Sequence, residues 1–179
     1  MAERSALRLW AMRGLFAGLC LALIFLRLLP LETLPRSWAG PDVMLALTCA
    51  WVLRRPEFAP PVAVAALFLL ADFLFQRPPG LWAGLVLVGT EALKARAPAL
   101  RDLTFAAEWF NVAMLVTALT LAKMLVLALL LVGPDATGLM LLQLSMTVVV
   151  YPVVVLASEF LFGVRKAAPG DIDSQGQRI

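Results

Sequence analysis

Apolar residues fill six long segments of the chain, and short polar connections separate them. The segments cover residues 14–31, 38–53, 58–75, 81–97, 105–132 and 139–163. Most approach the ~20 residues that a helix needs to cross the hydrocarbon core of a bilayer. Lipid offers the backbone no hydrogen-bond partners, so the segments must be helical. The pattern predicts an all-α integral membrane protein in which residues 1–166 form a bundle of six transmembrane helices.

The second segment is the weakest of the six. Its apolar stretch from Val43 to Leu53 has 11 residues, although Trp38 extends it backwards. This length predicts a short or tilted crossing, or a re-entrant segment. After Lys166 the chain is polar and rich in turn-forming residues, so residues 167–179 are predicted to form a flexible cytoplasmic tail.

The basic residues predict the orientation of the bundle. With the N-terminus in the cytoplasm, eleven of the 15 Lys and Arg residues lie inside. Three lie outside (Arg27, Arg36 and Arg77), and Lys123 lies within the fifth segment. The positive-inside rule then favours a cytoplasmic location for both termini. It also favours a true crossing for the second segment, because a re-entrant one would move the following loops to the opposite side.

Composition narrows the chemistry. The chain is 62% hydrophobic and 15% charged, whereas soluble domains are roughly 45–50% apolar and about 25% charged. It contains no His, the commonest general base and metal ligand. Cys20 and Cys49 lie apart in apolar stretches, which indicates buried thiols rather than a disulfide or a metal site. The net charge of +3 is spread in small groups, which gives no case for nucleic-acid binding. We therefore expect no enzyme activity, cofactor or metal site.

Small residues recur every four positions in the first helix, at Gly14, Gly18 and Ala22. Such a stripe lets a second helix approach closely. It is either a docking face for a partner or a packing face inside the bundle, and the commonness of the motif favours internal packing. Gly80 and Gly84 repeat the spacing at the start of the fourth helix.

Charged residues within the apolar segments indicate a polar interior. Lys123 lies well inside the fifth segment, where an unpaired ammonium is costly. We expect it to pair with Asp72 of the third segment, with Glu91 of the fourth as the second candidate. The alternative is that Lys123 snorkels alone to the outer surface. Glu108 and Asn111, near the start of the fifth helix, are expected to be interfacial and solvated.

The sixth helix carries a polar stripe. Gln143, Thr147, Tyr151 and Ser158 fall within an arc of about 80° at 100° per residue. Pro152 interrupts the same helix and frees a carbonyl about one turn earlier. The stripe predicts polar contacts between helices, and the alternatives are the lining of a ligand cavity or a seam with another subunit.

Several short strings form a recognisable set. They are Pro41-Asp42-Val43, Leu53-Arg54-Arg55-Pro56-Glu57, Leu69-Leu70-Ala71-Asp72-Phe73-Leu74, Pro78-Pro79-Gly80-Leu81, Tyr151-Pro152 and Arg165-Lys166. Together these strings resemble MreD, a membrane protein family of the bacterial rod-shape system. The resemblance extends over nearly the whole hydrophobic region. Asp42, Asp72, Gly80, Tyr151 and Pro152 are the residues that match the family pattern.

The resemblance implies a non-enzymatic scaffold of the bacterial inner membrane. Members of this family act with MreC, which has one transmembrane helix and a periplasmic domain. They also act with RodA and the penicillin-binding protein that synthesise peptidoglycan during rod elongation. The candidate docking surfaces are the first-helix stripe and the outer ends of the third and fourth helices around Asp72 and Gly80.

A second reading comes from the likeness between MreD bundles and the substrate-binding subunits of energy-coupling-factor vitamin importers. Such a subunit would use a cavity lined by the sixth-helix stripe and the Lys123–Asp72 region. Importers of this kind often close their site with extended outer loops. Here the third and fourth helices are joined only by residues 76–80, which favours the scaffold.

Overall fold

The computed structural model of the protein describes residues 2–29, 39–101, 104–130 and 137–164. These residues form six α-helices and one 3-10 turn. The helices are α1 (Ala2–Leu28), α2 (Val43–Arg54), α3 (Pro61–Leu74), α4 (Leu81–Arg101), α5 (Phe105–Leu129) and α6 (Thr137–Phe162). The 3-10 turn, Pro56–Phe58, connects α2 to α3. The predicted tail at 167–179, Trp38 at the edge of the second segment and the connections at 30–38 and 131–136 lie outside the described residues.

Each of the six predicted spans overlaps one described helix, and the helices begin and end at other residues than the spans. α1 begins at Ala2 rather than at Gly14, because the polar residues before Gly14 are mostly good helix formers. α3 begins at Pro61, since Pro60 precedes it in an extended conformation and the 3-10 turn takes up Pro56–Phe58. α4 continues through Pro98 to Arg101.

The shortest helix, α2, forms the centre of the bundle. Every residue from Met44 to Arg54 is buried. A helix that is apolar on all sides is stable only when other elements surround it, and α2 packs chiefly between α4 and α6. Its 12 residues extend roughly 18 Å at 1.5 Å per residue. The second segment, which was predicted to be short, is therefore a helix of the bundle core.

Helix α2 lies parallel to α6. At its start, the Asp42 backbone N–H donates to Thr147 Oγ1 at 2.9 Å. Near its end, the Trp51 indole N–H donates to Ser158 Oγ at 3.2 Å. Both contacts advance in the same direction along the two helices, so the N-terminus of α2 lies level with Thr147, the eleventh of the 26 residues of α6.

Consecutive helices run in opposite directions. Glu108, at the start of α5, contacts Tyr151 in the second half of α6. Asp72, near the end of α3, contacts Ala83 at the start of α4. The N-termini of α2, α4 and α6 therefore share one end of the bundle, which we call the Asp42 end. Their C-termini lie at the opposite end, which we call the Arg54 end.

Three helices are long and apolar enough to cross a membrane: Ala6–Leu28 within α1, Phe105–Leu129 and Thr137–Phe162. α2 and α3 are shorter apolar helices. Only 17% of the most apolar window of α1 is buried in the bundle, against 28% for α5 and for α6. By their length and composition these three described helices indicate a membrane protein, and α1 is the least enclosed of the three.

The contact between α4 and α5 depends on Gly89. A Cβ added there would lie 3.0 Å from Leu119 Cδ2 and 3.2 Å from Leu115 Cδ1. Replacing Gly89 with Leu should therefore lower the free energy of unfolding by about 2 kcal/mol, because the added side chain forces α4 and α5 apart. Thermal and denaturant unfolding in detergent micelles, followed by helical circular dichroism, measures the loss.

Gly84 provides the matched control on the same helix. It is exposed, and no atom lies within 4 Å of a Cβ added there. Gly84→Leu should change the stability by no more than about 0.5 kcal/mol. Equal losses in the two variants would contradict close packing of α4 on α5 at Gly89.

Candidate functional site

The polar stripe of α6 divides into two parts. Thr147, Tyr151 and Ser158 are buried and contact neighbouring helices, whereas Gln143 is half-buried near the Asp42 end. Thr147 accepts from the Asp42 N–H, and its hydroxyl donates to the Gln143 carbonyl at 2.7 Å. The three buried residues of the stripe thus form polar contacts that join α6 to α2 and α5.

Pro152 frees a carbonyl that a neighbouring helix uses. Proline has no N–H to donate to the carbonyl of Val148, four residues earlier. The Trp109 indole N–H of α5 donates to that oxygen at 2.9 Å. The expected break in the hydrogen-bond ladder of α6 therefore becomes a contact with α5.

A buried ionic cluster joins α2, α5 and α6 near the Arg54 end. Arg54 Nε lies 3.5 Å from Glu108 Oε1, and its Nη1 lies 3.2 Å from Glu159 Oε2. The Tyr151 hydroxyl donates to Glu108 Oε1 at 2.9 Å. Glu108 is 1% exposed and Arg54 is 8% exposed. One guanidinium thus forms ion pairs with carboxylates on two different helices, and these contacts fix the position of the end of α2 between them.

The expectation that Glu108 is solvated at the interface was wrong. It occupies the first turn of α5, but that turn packs against α2 and α6 instead of facing outwards. Asn111 donates its amide to the Ala107 carbonyl, within α5. The signal available in the sequence was Arg54, which ends a fully apolar helix and therefore requires an acidic partner nearby.

Two aspartates cap helices at the Asp42 end. Asp42 Oδ1 accepts from the Leu45 N–H at 3.1 Å and so caps α2. Asp72, which is fully buried, accepts from the Ala83 N–H at 3.0 Å and so caps α4 from the end of α3. Gly80 precedes α4 with a φ of 82°, a backbone conformation that favours glycine. Asp42, Asp72 and Gly80 thus all position helix ends.

The expected pairing of Lys123 with Asp72 was wrong. Asp72 bonds to the start of α4, and Glu91 forms an ion pair with Lys94 at 2.7 Å on the surface of α4. Lys123 Nζ lies 5.7 Å from the centre of the Trp82 ring, within the range of a cation–π contact. The lysine therefore faces α4, as expected for an intramembrane charge, but it does so through an aromatic ring.

A small cavity of about 20 Å³ lies between α4, α5 and α6, next to the start of α2. Its polar lining residues among those described are Asp42, Trp82, Thr120, Lys123, Gln143 and Thr147. Trp82 Nε1 and Gln143 Nε2, which belong to lining residues, are buried and have no hydrogen-bond partner in the described part of the chain. Sequence reasoning placed Gln143 and Lys123 in a polar interior but missed Trp82.

The small-residue stripe of α1 faces outwards. Gly14, Gly18 and Ala22 are exposed, and no atom lies within 4 Å of a Cβ added at either glycine. The opposite face of α1 packs into the core through Phe16, Cys20 and Ile24. The reading of this stripe as an internal packing face was therefore wrong.

No protein-family model matches the chain, and neither a curated protein nor a solved structure matches it.

The ionic cluster predicts unequal roles for two adjacent arginines. Arg54→Met should lower the free energy of unfolding by about 3–5 kcal/mol, because it leaves Glu108 buried without its guanidinium. Arg55 is the matched control, since it is half-buried and its Nη1 lies 3.6 Å from Glu57 Oε1. Arg55→Met should cost about 1 kcal/mol or less. Denaturant unfolding in micelles measures both, and similar losses would contradict the role given to Arg54.

The cap on α4 predicts a difference between two variants of Asp72. Asp72→Ala should lower the free energy of unfolding by about 1–3 kcal/mol, because it leaves the buried Ala83 N–H without an acceptor. Asp72→Asn keeps an amide oxygen in that position and should retain most of the stability. Thermal unfolding distinguishes them, and a loss in Asn as large as in Ala would show that the charge matters more than the acceptor.

Proposed function

We propose that this protein is a cell-shape scaffold of the bacterial inner membrane that binds the transmembrane helix of MreC. The observation that carries the proposal is the outward-facing stripe Gly14–Gly18–Ala22 on α1. The resemblance to MreD supplies the identity of the partner. Through MreC, the protein would support peptidoglycan synthesis by RodA and its penicillin-binding protein during rod elongation.

The geometry of α1 suits lateral docking of a helix. Membrane helices associate through close van der Waals packing, which small residues permit. The stripe is flanked by exposed large apolar side chains, among them Trp10, Leu21 and Phe25. A partner helix over the glycines would contact these side chains along one edge of the stripe. The core-facing residues of α1 would keep their places when the partner binds.

The proposed topology has six crossings with both termini in the cytoplasm. The alternating directions of the six helices support it, since they place Ala2 and Phe162 at the same end of the bundle. The basic residues Arg54, Arg55 and Lys94 lie towards that same end. The Arg54 end would then face the cytoplasm and the Asp42 end the periplasm, in agreement with the positive-inside rule.

The size of the polar cavity favours the scaffold over the importer subunit. A vitamin-sized ligand needs a pocket of roughly 300–1,000 Å³. The cavity beside Lys123 measures about 20 Å³, which is enough for about one water molecule. The sixth-helix stripe, which the importer reading assigned to ligand contacts, is mostly occupied by bonds to α2 and α5.

The double variant Gly14→Leu/Gly18→Leu tests the docking face. It should reduce co-purification with MreC from native membranes by at least about tenfold, because two leucines prevent the close approach of a second helix. The variant should remain folded, since no atom lies within 4 Å of either added Cβ. A thermal unfolding midpoint equal to that of the unmodified protein checks this.

Gly84→Leu is the control, because Gly84 is equally open but lies on α4. It should retain MreC. Unchanged binding in the folded double variant would show that α1 is the wrong surface. Loss of binding in Gly84→Leu alone would move the interface to α4. Recovery of importer ATPases instead of MreC and wall synthases would contradict the proposed function.

A further inference from the structure

Two buried hydrogen-bond donors belong to the residues that line the cavity between α4, α5 and α6. Trp82 is 7% exposed, and its indole Nε1 has no acceptor in the described part of the chain. The amide Nε2 of Gln143 is also buried and has none there. A buried N–H group without an acceptor is costly, and folded proteins contain few of them. Two such donors in the lining of one cavity therefore indicate an acceptor other than the described residues.

The two threonine hydroxyls of the lining are engaged elsewhere. The Thr120 hydroxyl donates to the Val116 carbonyl at 2.8 Å, within α5. The Thr147 hydroxyl donates to the Gln143 carbonyl and accepts from the Asp42 N–H. These bonds hold both hydroxyls to the backbone, so the acceptor for the two orphaned N–H groups is a bound molecule.

The charges in the described lining balance. Lys123 contributes one positive charge and Asp42 one negative charge. Lys123 Nζ lies 5.7 Å from the centre of the Trp82 ring, and Asp42 Oδ1 accepts from the Leu45 N–H at the start of α2. A lining without net charge favours neither an anion nor a cation. The bound molecule is therefore expected to be neutral.

The volume of the cavity admits only a very small molecule. It measures about 20 Å³, and one water molecule needs roughly 10–15 Å³ of such space. A buried water typically makes about three hydrogen bonds. It can accept from two N–H groups and donate to an oxygen such as that of the Asp42 carboxylate. Size, charge and hydrogen bonding thus agree on the same molecule.

The shortness of α2 explains why space remains here. α2 begins level with Thr147, whereas α6 already begins at Thr137. The first turns of α6 therefore extend beyond the start of the central helix. Side chains of the surrounding helices occupy the space beyond it, and they pack less completely than a continuous helix would.

We infer that this cavity binds a single water molecule, which accepts hydrogen bonds from Trp82 Nε1 and Gln143 Nε2. The water joins α4 to α6 at the Asp42 end of the bundle. The inference is independent of the docking face, which lies on α1.

A crystal structure of the purified protein, at a resolution that shows ordered water, tests the inference directly. One peak of solvent density should lie within hydrogen-bonding distance of both Trp82 Nε1 and Gln143 Nε2. A crystal soaked in sodium bromide should show no anomalous peak there, because bromide would mark an anion site. A cavity without density, density too large for a water molecule, or a bromide peak would each overturn the inference.

A methyl group added to the cavity wall provides an energetic test. Val116→Ile enlarges a buried lining residue. Filling an empty cavity stabilises a protein, whereas displacing the water leaves two donors without an acceptor. Val116→Ile should therefore lower the thermal unfolding midpoint in detergent micelles by at least about 2 °C.

The double variant Trp82→Phe/Gln143→Met removes both N–H donors. In this background Val116→Ile should raise the midpoint, because no donor depends on the water any longer. Val112→Ile is the matched control, since Val112 is buried one turn earlier on α5 and does not line the cavity. It should shift the midpoint equally in the two backgrounds.

A shift of the same sign from Val116→Ile in both backgrounds would also overturn the inference. The crystal structure requires no variant, so it remains decisive if the double variant fails to fold.

Discussion

The burial of α2 on every side is the constraint on which the rest of the structure depends. A helix enclosed by protein cannot expose its terminal polar groups to water, so neighbours must satisfy them. Asp42 and Thr147 do this at its start. Arg54, Glu108 and Glu159 form the ionic contacts at its end. The polar residues of the bundle therefore concentrate at the two levels where α2 begins and ends.

This arrangement assigns different tasks to the other helices. α6 is parallel to α2 and contacts it at both ends, so its polar stripe determines the register of the central pair. α5 adds the carboxylate that α2 requires and also takes the carbonyl that Pro152 frees. α1 contributes one apolar face and leaves the other open. The interior is thus rigidly specified, and the surface available to partners lies at the periphery.

The helices could be predicted from the sequence because lipid requires both apolar composition and internally bonded backbone. The arc formed by Thr147, Tyr151 and Ser158 followed from helical geometry, and it does face one side of α6. The partners of charged residues could not be predicted in this way. Lys123 and Asp72 lie at compatible depths, but the rotation of each helix about its axis turns them to Trp82 and Ala83 instead. For Glu108, nearness to a helix end suggested solvent, and tertiary packing enclosed it.

The shortness of α2 also bears on how the protein is made. Twelve residues are fewer than the ~20 with which a helix settles stably in a bilayer by itself. Its polar contacts lie far ahead in the chain, since Thr147 follows Asp42 by 105 positions and Ser158 follows Trp51 by 107. During synthesis, the ribosome must therefore complete α6 before α2 acquires its final surroundings. The centre of the bundle is assembled last, although it is encoded near the beginning.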